Sequence, residues 1–210
     1  MSLIKFIFWF LLRFVLVYGL LNALWFSVDK FYAKNFITAG NMVFSSFGSK
    51  GEVRFFAFQS PKSPHRDIAI LLVNRETVDS DKLDEKEIPV HWFIISSRDM
   101  GYTLTILLIA LILATPIRWK RKGWTLLWGM IFVHVFLVFK LTILFLFSFS
   151  NGEPPAVMAF SPFWQSILNV THEIVMVNIG FFYIALVIWI LVTFRRSDWR
   201  MLEQMLPKTR

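Results

Sequence analysis

Five ionisable side chains lie within or beside long apolar segments of this 210-residue chain, where a charged group is costly and usually serves a function. Three of them, Lys140, His172 and Glu173, could meet near the outer face of a membrane as one polar site. An enzyme or a transporter would use such a site. The full set of candidates is Arg13, His134, Lys140, His172 and Glu173.

Each candidate also has a structural interpretation. Arg13 is only about two helical turns from the start of its segment, so its guanidinium can extend to the interface. His134 and Lys140 are six residues apart, which at about 100° per residue places them on different helix faces. His134 can hydrogen-bond to a neighbouring helix, and Glu173 suits the positive end of a helix that starts there.

Sequence motifs give little support to catalysis. His172 and Glu173 do not begin a zinc-protease motif, because the residue four after His172 is Met176. The chain has no cysteine, which excludes disulfides, a thiolate nucleophile and cysteine-ligated metal. The glycine-rich nucleotide motifs and the G-x-S-x-G nucleophile motif are also missing. We therefore expect no catalytic residue, metal or cofactor, which favours a protein that is not an enzyme.

Apolar runs of membrane-spanning length account for much of the composition. Hydrophobic residues make up 56% of the chain, with 24 Phe and 9 Trp. A helix needs about 20 apolar residues to cross a bilayer. We predict an α+β membrane protein in the lipid bilayer, with four transmembrane helices and a small extracytoplasmic β-rich domain between the first and second. The predicted spans lie in residues 3–28, 101–117, 124–149 and 174–194.

Residues 29–100 differ in composition from the apolar runs. Charges, Gly and Pro appear, and short runs rich in Val, Ile and Phe alternate with turn-like stretches, which is typical of strands. Residues 29–39 could extend the first helix beyond the membrane, and Ser96 with its neighbours could cap the second span. The four predicted strands are in residues 42–44, 53–58, 68–73 and 90–96.

Basic residues predict the orientation, since short cytoplasmic loops are rich in Lys and Arg. Four of the six residues at 118–123 are basic, the tail from 195 has five, and 150–173 has none. Both termini should therefore be cytoplasmic, and 29–100 periplasmic, in a bacterial inner membrane. This distribution accounts for the net charge of +8 without nucleic acid. The predicted division is an anchor at 1–28, a β-rich domain at 29–100, a three-helix region at 101–194 with an outer loop at 150–173, and a cytoplasmic tail at 195–210.

Residues 101–116 read GYTLTILLIALILATP. This stretch resembles the G-Y-x-x-x-x-L-L-x-A-L-x-L-A-T-P segment of the exosortase H-associated membrane protein family. The basic loop after it, the aromatic third span and the pair Trp164 and Gln165 are also similar. The resemblance implies an inner-membrane accessory of a bacterial protein-sorting system, with an exosortase-like enzyme as partner. It implies no catalytic residues.

Three functions remain open at this point. The first is a non-enzymatic accessory protein that contacts a membrane partner through its outer domain and its helices. The second is an enzyme or transporter that uses the polar cluster, although four helices without an inverted repeat make a poor transport pathway. The third is a structural subunit of an envelope complex. A homo-oligomer is compatible with each of them.

Overall fold

The computed structural model describes residues 3–59, 65–75, 90–150, 156–176 and 180–194. This part of the chain is mostly helical and holds one three-stranded antiparallel sheet. The elements in chain order are α1 (Leu3–Ala23), α2 (Trp25–Phe44), β1 (Gly51–Ala57), β2 (Ile68–Asn74), β3 (Val90–Ile95), a π-helical turn (Arg98–Tyr102), α3 (Thr103–Ala114), α4 (Trp119–Ser150), α5 (Pro162–Met176) and α6 (Gly180–Thr193).

Two helices in the described part of the chain are long and apolar enough to cross a membrane. They are α1, with 20 apolar-rich residues over Ile4–Ala23, and α4, with 32 residues. The apolar stretch Phe182–Thr193 of α6 is shorter. The 12 residues of α3 rise only about 18 Å at 1.5 Å per residue. The helix predicted at 124–149 is thus confirmed, whereas the number of four spans stays a prediction.

The chain divides into two compact units. The first, which we call the helical unit, comprises Met1–Leu24, Thr103–Phe136 and Asn178–Arg210. The second, the mixed unit, comprises Trp25–Tyr102 and Leu137–Val177. The predicted domain boundaries did not include this division of α4, and the β-rich segment shares its unit with residues 137–177.

In the helical unit, α1 and α6 both pack against α3. Because α3 is apolar on every side, most of its residues can be buried among neighbours. Side-chain donors complete the end of α3, whose last carbonyls have no helical partner. The Lys122 ammonium donates to the carbonyl of Leu113 at 2.7 Å, and the Trp189 indole donates to the Thr115 hydroxyl at 2.9 Å. The helix ends just before Pro116, as the steric effect of proline requires.

The sheet of the mixed unit is a meander in the order β1-β2-β3. Its register places Phe55 of β1 opposite Ile70 of β2, and Ile70 opposite Phe93 of β3. Val53 and Phe55 are buried while Arg54 and Phe56 are exposed, which is the alternation of a strand with one face on a core. The core contains Phe44, Val53, Phe55, Ile68, Ile70, Leu72, Leu141, Leu144, Phe145 and Phe149.

The strand predicted at 42–44 is wrong, because these residues form the last turn of α2. The three apolar residues precede the turn-like stretch at 48–51, and a short apolar run before a turn suggested a strand. In the structure Gly40 and Phe44 are buried, and the helical spacing of four places both on one face of α2. That face packs against Phe55 of β1. The three later strands are confirmed at Gly51–Ala57, Ile68–Asn74 and Val90–Ile95.

Two other helix boundaries differ from the predictions. The short interfacial helix that the sequence predicts at 160–170, within the outer loop at 150–173, is confirmed as α5. This helix continues to Met176 and so includes the first residues of the fourth predicted span. The span predicted at 3–28 is helical only to Ala23. A separate helix, α2, begins at Trp25, within the predicted span. The predicted tail at 195–210 lies outside the described residues.

Candidate functional site

Lys140 is buried on α4 in the mixed unit, with 2% of its surface exposed. It shares a helix face with Leu137, Leu141 and Leu144, which follow the three- and four-residue spacing of a buried face. Lysine is almost never fully buried unless it is paired. The predicted position of Lys140 on a different face from His134 agrees with the structure, in which His134 is exposed.

His172 and Glu173 are neighbours in α5, also in the mixed unit. The half-buried imidazole of His172 stacks flat on the Phe147 ring, with 3.9 Å between ring centres and 6° between planes. Burial lowers the pKa of His172 from its ordinary value of 6.5, and the negative charge of Glu173 opposes that shift. Phe147 lies two turns beyond Lys140 on α4, about 10 Å along the helix axis. A single site formed by Lys140, His172 and Glu173 therefore stays a prediction.

Arg13 and His134 belong to the helical unit. Arg13 lines a cavity of about 360 Å³ together with Trp9, Phe10 and Pro116. The Nδ1 atom of His134 lies 2.7 Å from the carbonyl oxygen of Met130, one turn earlier in α4. The Nδ1 atom of His134 is thus paired within its own helix.

Sequence reasoning missed a groove of about 1070 Å³ in the mixed unit. One wall is the first half of α2, including Ala33, Lys34 and Ile37, and the other is the end of β1 around Ala57. The two elements touch closely farther along, because Gly40 has no side chain and a Cβ there would lie 2.8 Å from the Phe55 ring. We call this feature the α2–β1 groove.

Asn41 fixes the closed end of the α2–β1 groove. Its side-chain amide donates to the carbonyl of Phe55 at 3.0 Å, and its Oδ1 accepts from the amide of Phe55 at 2.8 Å. The side chain thereby makes the two hydrogen bonds that a neighbouring strand would make. Asn41 covers the edge of the sheet at this residue, where exposed backbone groups invite unwanted pairing.

The rim of the α2–β1 groove carries more positive than negative charge. Lys30, Lys34 and Arg66 are exposed and line it, as do Asp29 and Asp67. The carboxylate of Asp67 is already engaged, since it accepts from the amide of Ser97 at 2.7 Å and from the Ser97 hydroxyl. Among the described residues that line the groove, three cations therefore face two carboxylates.

Part of this site had a signal in the sequence. Lys30 and Lys34 are four residues apart, so a helix there puts both on one face. The predicted cap at Ser96 is also confirmed, because its hydroxyl accepts from the amide of Asp99 at 3.2 Å. The contact of Asn41 with Phe55 had no signal, because nothing local relates residues 14 positions apart in a helix and a strand.

Comparisons with known proteins assign no family. The chain matches no protein-family profile, no curated protein and no solved structure. Among the residues that the structure describes, no group of three His, Asp or Glu side chains could hold a metal ion. The α2–β1 groove is therefore the feature on which a function can be argued.

Proposed function

We propose that this chain is an integral membrane protein of four spans that acts as a non-enzymatic accessory and binds a partner protein through the α2–β1 groove. The groove carries the proposal. It is large, it has an apolar floor with Ile37 and Phe55, and its rim is cationic.

The apolar surface of the helical unit supports the membrane location. Phe8, Trp9, Trp124 and Trp128 are each at least half exposed, and so are many aliphatic side chains of α1 and α4. Soluble proteins rarely expose apolar surface so extensively. Lipid would cover these side chains, and Trp is enriched where helices meet the lipid headgroups.

The similarity of residues 101–116 to the exosortase H-associated family supports a more specific partner. On this proposal the protein resides in a bacterial inner membrane and assists an exosortase-like sorting enzyme. The groove would lie on the periplasmic side, because 29–100 is flanked by segments whose basic residues favour the cytoplasm. Alkaline phosphatase fused after Asn74 should then be active, and the same fusion after Gly123 inactive. Activity at Gly123 would reverse the orientation.

Purification from native membranes tests the accessory function. A photo-crosslinking amino acid at Gln59, in the groove, should capture an exosortase-like enzyme in a stoichiometric complex. The same amino acid at exposed Trp92 on β3 is the control and should capture much less. A chain that purifies alone, with no enzyme crosslinked from either position, contradicts the accessory function.

The buried Lys140 favours a second candidate, an enzyme or transporter with an intramembrane polar site. A buried ionisable group inside an apolar helix is a functional candidate by default. Lys140→Met keeps the length of the side chain and removes the charge. Loss of function at unchanged protein level would favour this second candidate, whereas loss of the protein itself would point to packing.

A further inference from the structure

The backbone of β1 presents its hydrogen-bonding groups alternately to β2 and to the open side of the sheet. The amide of Phe58 donates to the carbonyl of Asp67, and the amide of Arg75 donates to the carbonyl of Lys50. In an antiparallel pair these bonds alternate along the strand. Even-numbered residues of β1 therefore bond to β2, and odd-numbered residues point their amide and carbonyl away from it.

Other groups occupy two of the outward-facing positions. Gly51 exchanges both backbone hydrogen bonds with Phe47, at 3.1 and 3.0 Å. Phe55 exchanges both of its bonds with the side chain of Asn41. The edge of β1 is thus paired at these residues by the protein itself.

Ala57 is the next outward-facing residue, and it lies where the α2–β1 groove is open. It is exposed, and it forms part of the groove wall. Its backbone offers one donor and one acceptor. Among the residues that the structure describes, no hydrogen bond occupies these two groups. The groove therefore places a short unpaired sheet edge beside a cationic rim.

We propose that an extended, acidic peptide segment of the partner adds to β1 at Ala57 and lies in the α2–β1 groove. Adding a strand to an exposed sheet edge is a common mode of peptide recognition, in which backbone bonds give affinity and alternate side chains give specificity. Every second side chain of the segment faces α2, where carboxylates meet Lys30 and Lys34. The proposal rests on the proposed accessory function and names the chemistry of the bound segment.

The test uses the full chain in nanodiscs of zwitterionic lipid and three fluorescent octapeptides. The first alternates Val and Glu, the second alternates Val and Lys, and the third is the Val-Glu peptide with every second backbone amide N-methylated. We expect saturable binding of the Val-Glu peptide by fluorescence anisotropy and none of the Val-Lys peptide. N-methylation leaves charge and side chains unchanged, so at least a fivefold weaker affinity would show the backbone bonds, each hydrogen bond being worth about that much.

Charge reversal in the groove provides the matched protein variants. Lys30→Glu with Lys34→Glu should weaken Val-Glu binding about tenfold, since each exposed ion pair contributes a modest amount. Lys50→Glu reverses one charge on the mixed unit outside the groove and should leave affinity within about twofold of the original. Ala57→Pro removes the outward-facing amide of β1, and within sheets proline is confined mainly to edge strands such as this one.

Three results would overturn the inference. The first is equal affinity for the N-methylated and unmodified peptides. The second is unchanged affinity for the Val-Glu peptide when Lys30 and Lys34 are both replaced by Glu. The third is peptide binding that occurs only after a dimer of this chain dissociates. The last result would mean that a second copy fills the groove. If the enzyme is still captured while the peptides do not bind, the accessory function stands and this inference fails. If the peptides bind and no enzyme is captured, the inference stands and the accessory function fails.

Discussion

The helical unit and the mixed unit differ in where their aromatic side chains lie. In the mixed unit Phe44, Phe55, Phe145 and Phe149 are buried. The rings of the first three contact one another, as for Phe44 and Phe145 at 5.0 Å. In the helical unit the buried side chains are mainly aliphatic, and large aromatics such as Trp128 are exposed.

This difference teaches what each unit requires from its surroundings. The mixed unit buries this group of phenylalanine rings in an internal core, although other large apolar side chains of the unit, such as Trp92 and Trp164, are exposed. The helical unit places large apolar side chains such as Trp9, Trp124 and Trp128 outside, and exposed apolar surface of this kind marks contact with lipid or with another protein.

The largest expected effect tests the aromatic core directly. Phe55→Ala removes a fully buried ring and should lower the free energy of unfolding of the mixed unit by about 3–5 kcal/mol. Phe56→Ala removes the same group at the next residue, where 42% of the side chain is exposed, and should cost far less. Hydrogen exchange of the β1 and β2 amides measures both. Similar losses for the two variants would contradict an internal core in this unit.

The next effect concerns the two hydrogen bonds between the Asn41 side chain and the backbone of Phe55 in β1. Asn41→Ala leaves the amide and carbonyl of Phe55 unpaired and should destabilise the mixed unit by about 1–3 kcal/mol. Asn35→Ala, on an exposed face of the same helix, removes only a local bond to the carbonyl of Phe31 and is the control. Equal stability of the two variants, measured by the exchange of β1 amides, would show that Asn41 does not close the edge.

A pair of glycines compares packing in the two units. Gly40→Ala places a Cβ 2.8 Å from the rigid Phe55 ring and should cost about 1–3 kcal/mol. Gly129→Ala in the helical unit meets the end of the flexible Leu108 side chain at 2.9 Å. That chain can rotate, and alanine favours the helix by up to about 1 kcal/mol over glycine. We expect a lower thermal unfolding temperature for Gly40→Ala and not for Gly129→Ala.

A smaller effect concerns the hydrogen bond between α6 and the end of α3. Thr115→Val removes the acceptor of the Trp189 indole and should cost about 0.6 kcal/mol, the average for such bonds in membrane helices. Thr142→Val is the control, because its hydroxyl bonds only to the carbonyl of Val138 in its own helix. Indole fluorescence is followed during denaturation in micelles. Identical unfolding curves for the two variants would show that the hydrogen bond between Trp189 and Thr115 does not stabilise the protein.

The smallest effect is a dependence of stability on pH. The folded-state pKa of His172 is lowered by burial, so the unfolded chain takes up a proton first as the pH falls. Stability from the neutral ring is complete above pH 6.5 and is lost as the pH falls from there through the folded-state pKa. His172→Phe retains the stack on Phe147 and should flatten the melting temperature between pH 7.5 and 5. His134→Phe is the control, and a flattened profile there instead would contradict the assignment.

Local patterns predicted much of this fold. The apolar run at 124–149 was long enough to predict α4, and the short run rich in Val and Phe at 53–58, bounded by turn-like stretches, predicted β1. The run at 42–44 was misassigned because three apolar residues fit a strand and a helix end equally well. Only the packing of Gly40 and Phe44 against β1 decides between them, and that contact is not local.

The candidate site was less predictable than the fold. Lys140, His172 and Glu173 were selected because each is polar in an apolar context, but their spacing along α4 and α5 depends on how those helices meet at Phe147. The open sheet edge in the α2–β1 groove depends on exposed backbone groups at Ala57. Nearly every residue type carries the same backbone groups, so the sequence does not indicate which of them are exposed.

The core of the mixed unit has a consequence for the order of events during synthesis. Phe55 is covered by residues of α2 that the ribosome makes before it, and also by Phe145, about 90 residues later. At ~5–20 residues per second, Phe145 is synthesised roughly 5–20 s after Phe55. During that interval the sheet can form, but one face of the Phe55 ring has no cover. The nascent protein is therefore most vulnerable to aggregation and proteolysis between these two moments, and slower translation of α4 would lengthen that exposure.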